Sequence, residues 1–344
     1  MLKVLEDVGK AIGDNAVFEP EKTEIAYYVR AFSEAEDTLT MFITQDQNNH
    51  PPTARWIDFE ANNITVNAFP TFASHLLHSM FWKKALGVAC FSATLRTLGT
   101  FDKFMSDSGI ALSGRCSKGL AVQSDFNYTV SGLYLLQDGP TPNAKGNTDK
   151  AQYDELIAKM IVRAAHSDAV TGALVIFTSK SHMDAVASII KTKFKLPKGS
   201  ILIQGSMQRG KLLERHKKRV QSGKTSIIFG LSSFREGVDL PGDLCSAVII
   251  PRLPFAVPNT PMEKARVAWI EKNGGNAFMS YALPACSVWL TQMVGRLIRT
   301  SEDRGTILIL DNRILRTRYG GLLLNGLPPF ERKRLTYQHL MNAC

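Results

Sequence analysis

The 344 residues contain no uninterrupted apolar run of the 18 or more that a membrane-spanning helix needs. The opening Met1-Leu2-Lys3-Val4-Leu5-Glu6 has no apolar stretch of the kind a secretory signal carries. Cysteine is sparse. Cys90, Cys116, Cys245, Cys286 and Cys344 lie far apart, with no C-x-x-C pair and no metal-ligand spacing. That excludes a disulfide framework and a zinc or iron–sulfur site of ordinary spacing, and it predicts reduced thiols in a cytoplasmic protein without a bound metal. No repeat, no low-complexity tract and no D-E-A-H-type acidic box occurs. No Gly-rich dinucleotide fingerprint follows a first strand, which leaves an α/β transferase with a small cofactor as a reading without support.

What is present is an ordinary globular composition, 44% hydrophobic and 21% charged, with a net charge of +10 and a pI of about 9.4. A basic balance suits a polyanionic partner, although a soluble basic surface gives the same number. The second half alternates regularly. Apolar runs at Gly132–Leu136, Ala173–Phe177, Ile201–Ile203, Ser226–Gly230, Ala247–Ile250 and Thr306–Leu310 read as strands. Helical patterns lie between them. Tyr153 to His166 places Leu156, Ile157, Met160, Ile161 and Ala164 on one stripe, Ser181 is placed to cap a helix running to about Lys193, and Thr260-Pro261-Met262-Glu263 is a capping box. Gly210 to Ser222 is a strongly basic helix with Gly223 as its stop. It reads either as a phosphate-tracking surface or as a solvated face. This order predicts an α/β fold, a doubly wound parallel sheet with crossover helices.

The first hundred residues are less regular. Asn67 to Trp82 reads as a loop and then a helix, and Gly87–Phe91 as a short strand that feeds Ser92-Ala93-Thr94-Leu95 into a loop. Asp154-Glu155 reads as a solvated helix face. Ser222-Gly223-Lys224-Thr225 contains the G-K-T of a phosphate loop, but position 218 is a lysine, a helix precedes it and a strand follows. That order is the reverse of a phosphate loop.

Two strings carry chemistry. In Gln292-Met293-Val294-Gly295-Arg296-Leu297-Ile298-Arg299, a continuous helix would put Gln292, Gly295, Arg296 and Arg299 on one face. Guanidiniums stay charged and match phosphate oxygens in a planar fork, so such a face could oppose charge on a transferring phosphoryl group. Phe234-Arg235-Glu236-Gly237-Val238-Asp239-Leu240-Pro241-Gly242 follows a strand, and in a parallel sheet ligands bind at that carboxyl edge.

Together with Pro52-Thr53-Ala54-Arg55-Trp56-Ile57, Ser92–Leu95, Gly99-Thr100-Phe101, Leu174–Ser179, Ile203-Gln204-Gly205, Asp311-Asn312-Arg313, Tyr319-Gly320 and Leu327-Pro328-Pro329, these strings occur in an order that resembles the DinG family. That family is a branch of the XPD-like superfamily 2 helicases. The resemblance implies a RecA-like fold with a complete second motor domain and a partial first. Residues 1–63 would be the remnant of an inserted arch-like domain, mostly helical. Residues 64–106 would be the carboxy-terminal part of the first RecA-like domain, and 107–344 the second. It also implies roles. Arg299, with Arg296 and Gln292, would reach the γ-phosphate of ATP. Glu236, Gly237, Asp239, Ser92 and Thr94 would couple the nucleotide cleft to the nucleic-acid track. Thr178, Ser179, Gln204 and Ser232 would meet the strand. ATP and Mg²⁺ would be held mainly by a first lobe whose phosphate loop and acidic box are absent from this sequence, as are the family's iron–sulfur cysteines. The implied activity is ATP-driven 5′-to-3′ movement on single-stranded or forked DNA, or on an RNA–DNA hybrid. A stand-alone nucleic-acid or partner-binding module without ATPase activity is the alternative.

Overall fold

The computed structural model describes residues 19–47, 50–114, 117–142, 147–234 and 238–342. Glu236 and Gly237 lie outside the described residues, as does residue 235 between the same strands. The described residues divide into two units. The first comprises residues 19–88, 105–114 and 257–281, and the second holds the rest.

In the first unit, helix α1 (Glu19–Ile43) precedes an antiparallel hairpin of β1 (Thr53–Glu60) and β2 (Asn63–Pro70). Glu60 pairs with Asn63, so Ala61-Asn62 is a two-residue loop. The boundary expected after residue 63 falls inside this hairpin. Arg55 fastens β1 to the end of α1. Its Nη1 and Nη2 each donate to an Asp46 oxygen at 2.8 Å, and its Nε donates to Met41 O at 2.9 Å. These bonds, with Arg55's guanidinium first among the causes, hold the Asp46 carboxyl below its ordinary value. The helix Pro261–Lys272 starts with the expected capping box on Thr260 and Glu263. The helix expected before Trp82 is only Ser74–Leu77 followed by a π turn, His78–Trp82, because Asn67–Pro70 belongs to β2. Gly87–Phe91 forms no strand, since no neighbour among the described residues offers it backbone partners.

The second unit is the predicted doubly wound sheet. Its elements are β3 (Gly132–Leu136), α2 (Asn147–Ala165), β4 (Gly172–Ile176), α3 (Lys180–Lys193), β5 (Ile201–Ile203), α4 (Arg209–Gln221), β6 (Ser226–Gly230), β7 (Ala247–Ile250), α5 (Leu283–Val294), β8 (Thr306–Ile309) and β9 (Glu331–Leu335). The strand order is β5-β6-β4-β7-β8-β3-β9, and every pairing is parallel. Period-two alternation sends the central strands to two buried faces. Leu174 and Ile176 join a core with Leu212 of α4 and with Leu290 and Met293 of α5. Ala173, Val175 and Phe177 join another with Tyr153, Leu156 and Ile161 of α2 and with Met183 and Val186 of α3. The α2 stripe is buried as its spacing predicts, but it also buries Asp154. That carboxylate is only 5% exposed and faces His182 Nε2 at 3.0 Å. The reading of Asp154 as solvated is therefore corrected, while Glu155 does face outward and accepts from Lys193 Nζ at 2.8 Å. The cap of α3 is Ser179, which accepts from His182 N, and not Ser181.

Gly223 ends α4 with φ +70°, in the left-handed region that glycine tolerates, and β6 follows. The G-K-T string is thus a helix-to-strand turn. On the inner face of α4, His216 is buried, with Nδ1 at 2.9 Å from Ser226 Oγ and Nε2 at 2.8 Å from Leu244 O. Burial pushes its pKa below 6.5 and Lys217 adds to this, against the opposing pull of the Leu244 carbonyl. The folded state thus binds this proton less readily than the unfolded chain. Its stabilisation is whole above an unfolded pKa of about 6.5 and is lost as pH falls below that value toward the folded one. Melting temperature should fall between about pH 7 and 5, and a His216→Gln variant should show a shallower fall over the same range.

Candidate nucleotide and nucleic-acid site

The candidate residues that follow β4, β5 and β6 collect at the carboxyl ends of three adjacent strands. Thr178 is exposed just beyond β4, Gln204 follows β5 and Ser232 follows β6. Gln204 stitches two of these ends together. Its Nε2 donates to Ser233 Oγ at 2.8 Å, and its Oε1 accepts from Leu231 N at 2.7 Å. Ser179 stands beside them, its hydroxyl accepting from the first turn of α3.

The helix that carries Gln292 does not continue through Arg299. It ends at Val294 with Gly295 as its cap, so Gln292, Arg296 and Arg299 do not share a helical face. Two features stop it. Glycine lowers helix persistence, and the Asp303 carboxylate takes the N–H groups of Arg299 (2.7 Å) and Thr300 (2.8 Å) that a helix would point at its own carbonyls. Asp303 also accepts from the Thr300 hydroxyl and from Gly242 N, each at 2.9 Å. Burial works to raise its pKa, but these N–H and O–H donors outweigh it and keep the carboxyl below its ordinary value. Leu297 and Ile298 turn into the core instead.

The turn nevertheless unites the two guanidiniums. Arg296 Nη1 donates to Val238 O at 2.7 Å, and Arg299 Nη2 donates to the same oxygen at 3.1 Å. A single carbonyl of the loop after β6 thus gathers both cations, with the exposed Asp239 next in sequence. Asp303 and the Val238 carbonyl were not foreseen. The signal for Asp303 was legible, because Thr300-x-x-Asp303 is a capping pattern. A backbone carbonyl leaves no sequence signal.

Ser92 and Thr94 fold onto each other, with Ser92 Oγ at 3.2 Å from both Thr94 Oγ1 and Thr94 N. Beyond them Leu98 holds a left-handed φ of 54°, rare for a side-chain-bearing residue. Its N–H donates to Ser287 Oγ of α5 at 3.2 Å. The Ser92–Leu95 segment is therefore tied to the helix that leads to the arginine turn. It also lines a cavity of about 860 Å³, with Arg96, Phe101, Phe126, Tyr128 and Leu327–Pro329.

The fit to an implied nucleotide can be judged from the donors. Two converging guanidiniums suit phosphate oxygens. Among the described residues no three His, Cys, Asp or Glu side chains are grouped to hold a metal ion.

Residues 161–330 match a helicase C-terminal domain. The chain is 34% identical over 329 residues to a protein of Photobacterium profundum named ATP-dependent DNA helicase DinG, an alignment covering 95% of this chain and 46% of that one. Over nearly all of its length the chain is thus similar to the carboxy-terminal portion of DinG helicases. The DinG protein of Escherichia coli (strain K12) is 30% identical over 302 residues, covering 86% of this chain and 41% of its own length. This chain thus spans less than half the length of these DinG relatives. Two solved structures share the fold. One is an XPD helicase (TM-score 0.55, 15% identity, 90% of this chain and 51% of that one), and the other is the S. tokodaii Xpd4 protein (TM-score 0.50, 16%, 92% and 58%). The sheet of the second unit is RecA-like. No helix among the described residues is long and apolar enough to cross a membrane.

Proposed function

We propose that this chain supplies the second motor lobe, and the end of the first, of a cytoplasmic ATP-driven DNA helicase. The observation that carries this reading is the pair of guanidiniums gathered on Val238 O at the carboxyl side of a RecA-like sheet. In the working enzyme a first lobe grips ATP and Mg²⁺, and residues 64–106 are its carboxy-terminal part. Bound ATP supplies the phosphoryl group and this chain supplies charge. Arg299 donates to the γ-phosphate, with Arg296 gathered on the same carbonyl and Gln292 contributing from the preceding helix.

The other roles rest on family likeness. Asp239, next to the Val238 carbonyl that gathers the arginine pair, couples the nucleotide cleft to the nucleic-acid track, and likeness alone assigns the same role to Glu236 and Gly237. Thr178, Ser179, Gln204 and Ser232 meet the phosphates of single-stranded or forked DNA. Ser92 and Thr94 relay nucleotide state, and the Leu98–Ser287 hydrogen bond supports that role because it joins their segment to α5. The 5′-to-3′ polarity and an RNA–DNA hybrid as substrate rest on family likeness alone.

ATP turnover of this chain by itself should stay at background, with or without single-stranded DNA. Two arginines can stabilise a transferring phosphoryl group but cannot position it without a phosphate loop and a carboxylate-held Mg²⁺. DNA-stimulated turnover that survives purification and disappears on Arg299→Ala would overturn this reading.

A further inference from the structure

The charge of this chain is not spread over it. Residues 185–225 hold eleven Lys and Arg against one carboxylate, Glu214, a net +10 that equals the net charge of the whole protein. All other residues therefore sum to zero. In the structure this stretch is the end of α3, the edge strand β5, helix α4 and the turn into β6. Ten of the eleven cations are exposed. The exception, Arg219, is half-buried and donates to Thr225 O and Lys198 O, so it holds the fold.

The pattern on α4 is ordered. Leu212, His216 and Val220 face the core. Lys211, Arg215 and Lys218 recur at spacings of four and three on the outer side, and Lys217 is exposed about 100° further round the helix. Lys211, Arg215, Lys218 and Lys224 line a shallow depression of about 570 Å³. Thirteen helical residues extend roughly 20 Å at 1.5 Å each. Because α4 leads from the end of β5 to the start of β6, the stripe runs from the carboxyl edge to the opposite edge of the sheet. Protection of an edge strand does not explain it. That device puts charges on the strand itself, as β9 does with Arg332, Lys333 and Arg334. Strand β5 is Ile201-Leu202-Ile203, and the cations lie on the flanking helices and connections.

Surfaces that grip single strands pair cations with aromatic rings on which bases stack. The only Phe, Tyr or Trp in residues 185–225 is Phe194, and it packs against the core. The stripe can bind phosphates but cannot stack bases. We propose that it is a second nucleic-acid surface, separate from the carboxyl-edge residues, which takes the sugar-phosphate backbone of duplex DNA without reading sequence. A helicase meets such a duplex next to the strand it tracks, so this inference names a further part of the substrate. It rests on the nucleic-acid side of the proposed function and needs neither ATP turnover nor the arginine pair.

The test is equilibrium binding of a fluorescent blunt duplex at several salt concentrations, with thermal melting of the same proteins. If Lys211, Arg215, Lys217, Lys218 and Lys224 each meet a phosphate, log K should fall against log salt with a slope of about −4.5. The triple variant Lys211→Gln/Arg215→Gln/Lys217→Gln should bind about tenfold or more weakly and lose about 2.7 from that slope. All three side chains are exposed, so melting should not change. The carboxyl-edge variant Thr178→Ala/Gln204→Ala should keep duplex binding and lose affinity for a single-stranded oligonucleotide. An unchanged duplex slope in the triple variant would overturn the proposal. Polyglutamate competing as well as duplex would also overturn it, and would point to an acidic protein partner. Loss of single-strand binding in the carboxyl-edge variant would stand whether or not the stripe binds duplex, so the two readings fail separately.

Discussion

Arg299→Ala, made in a two-lobed protein that joins this chain to a first lobe, is expected to lower ATP turnover on the order of 10³-fold or more. Such a factor corresponds to roughly 4 kcal/mol of transition-state stabilisation. The effect should be large because the guanidinium meets charge that develops only as the phosphoryl group leaves. It should fall on turnover and unwinding and leave nucleotide affinity and most single-strand affinity in place. The structure also says why folding should survive. Arg299 is exposed, and the turn around it is held by its backbone N–H on Asp303, which alanine retains. Its side-chain bond to Val238 O is long, at 3.1 Å, and Arg296 keeps that carbonyl satisfied.

The largest stability loss should come from Asp311→Ala. Asp311 is fully buried, and its carboxylate accepts Arg313 Nε at 2.8 Å, Arg313 Nη2 at 2.6 Å and Leu253 N at 2.9 Å. The Arg313 side chain is 18% exposed and lies over the Phe255 ring, 5.3 Å from its centroid. Removing the carboxylate leaves a mostly buried cation and a buried N–H without their acceptor, a loss of about 3–5 kcal/mol. By contrast Lys180–Asp184, at 71% and 48% side-chain exposure, should contribute only about 0.3–0.5 kcal/mol. Denaturant midpoints should show the double variant Asp311→Ala/Arg313→Ala losing less than the two single losses added, because each single change strands the other's partner. Additive losses would mean that the pair does not act as a unit.

The central strands were legible because parallel strands buried on both faces read as short apolar runs. Strand β9 was not, because Glu331-Arg332-Lys333-Arg334 sits at an exposed edge and carries no hydrophobic pattern. The β1–β2 hairpin left a signal that went unread, with alternation on both sides of Ala61-Asn62. Asp154 shows the limit of local pattern. Its position i−3 from Ile157 marks the buried stripe, but the side chain it faces there is His182, 28 positions away, which no helical period reveals. In the site the residue types were legible and the geometry was not. A straight helix was the simplest way to bring Arg296 and Arg299 together. The chain instead breaks the helix at Gly295, caps the break with Asp303, and gathers the two side chains on a backbone oxygen.

The most direct test of Arg299 as the group that opposes transition-state charge is DNA-stimulated ATP turnover of its lysine variant in the two-lobed protein. Lysine keeps the positive charge and loses the planar fork that reaches Val238 O and a phosphate at once. Arg299→Lys is predicted to turn over as slowly as Arg299→Ala while melting with the wild type. Turnover close to wild type in Arg299→Lys, or a melting temperature that collapses together with activity, would contradict the assignment and make Arg299 a plain surface charge or a structural residue.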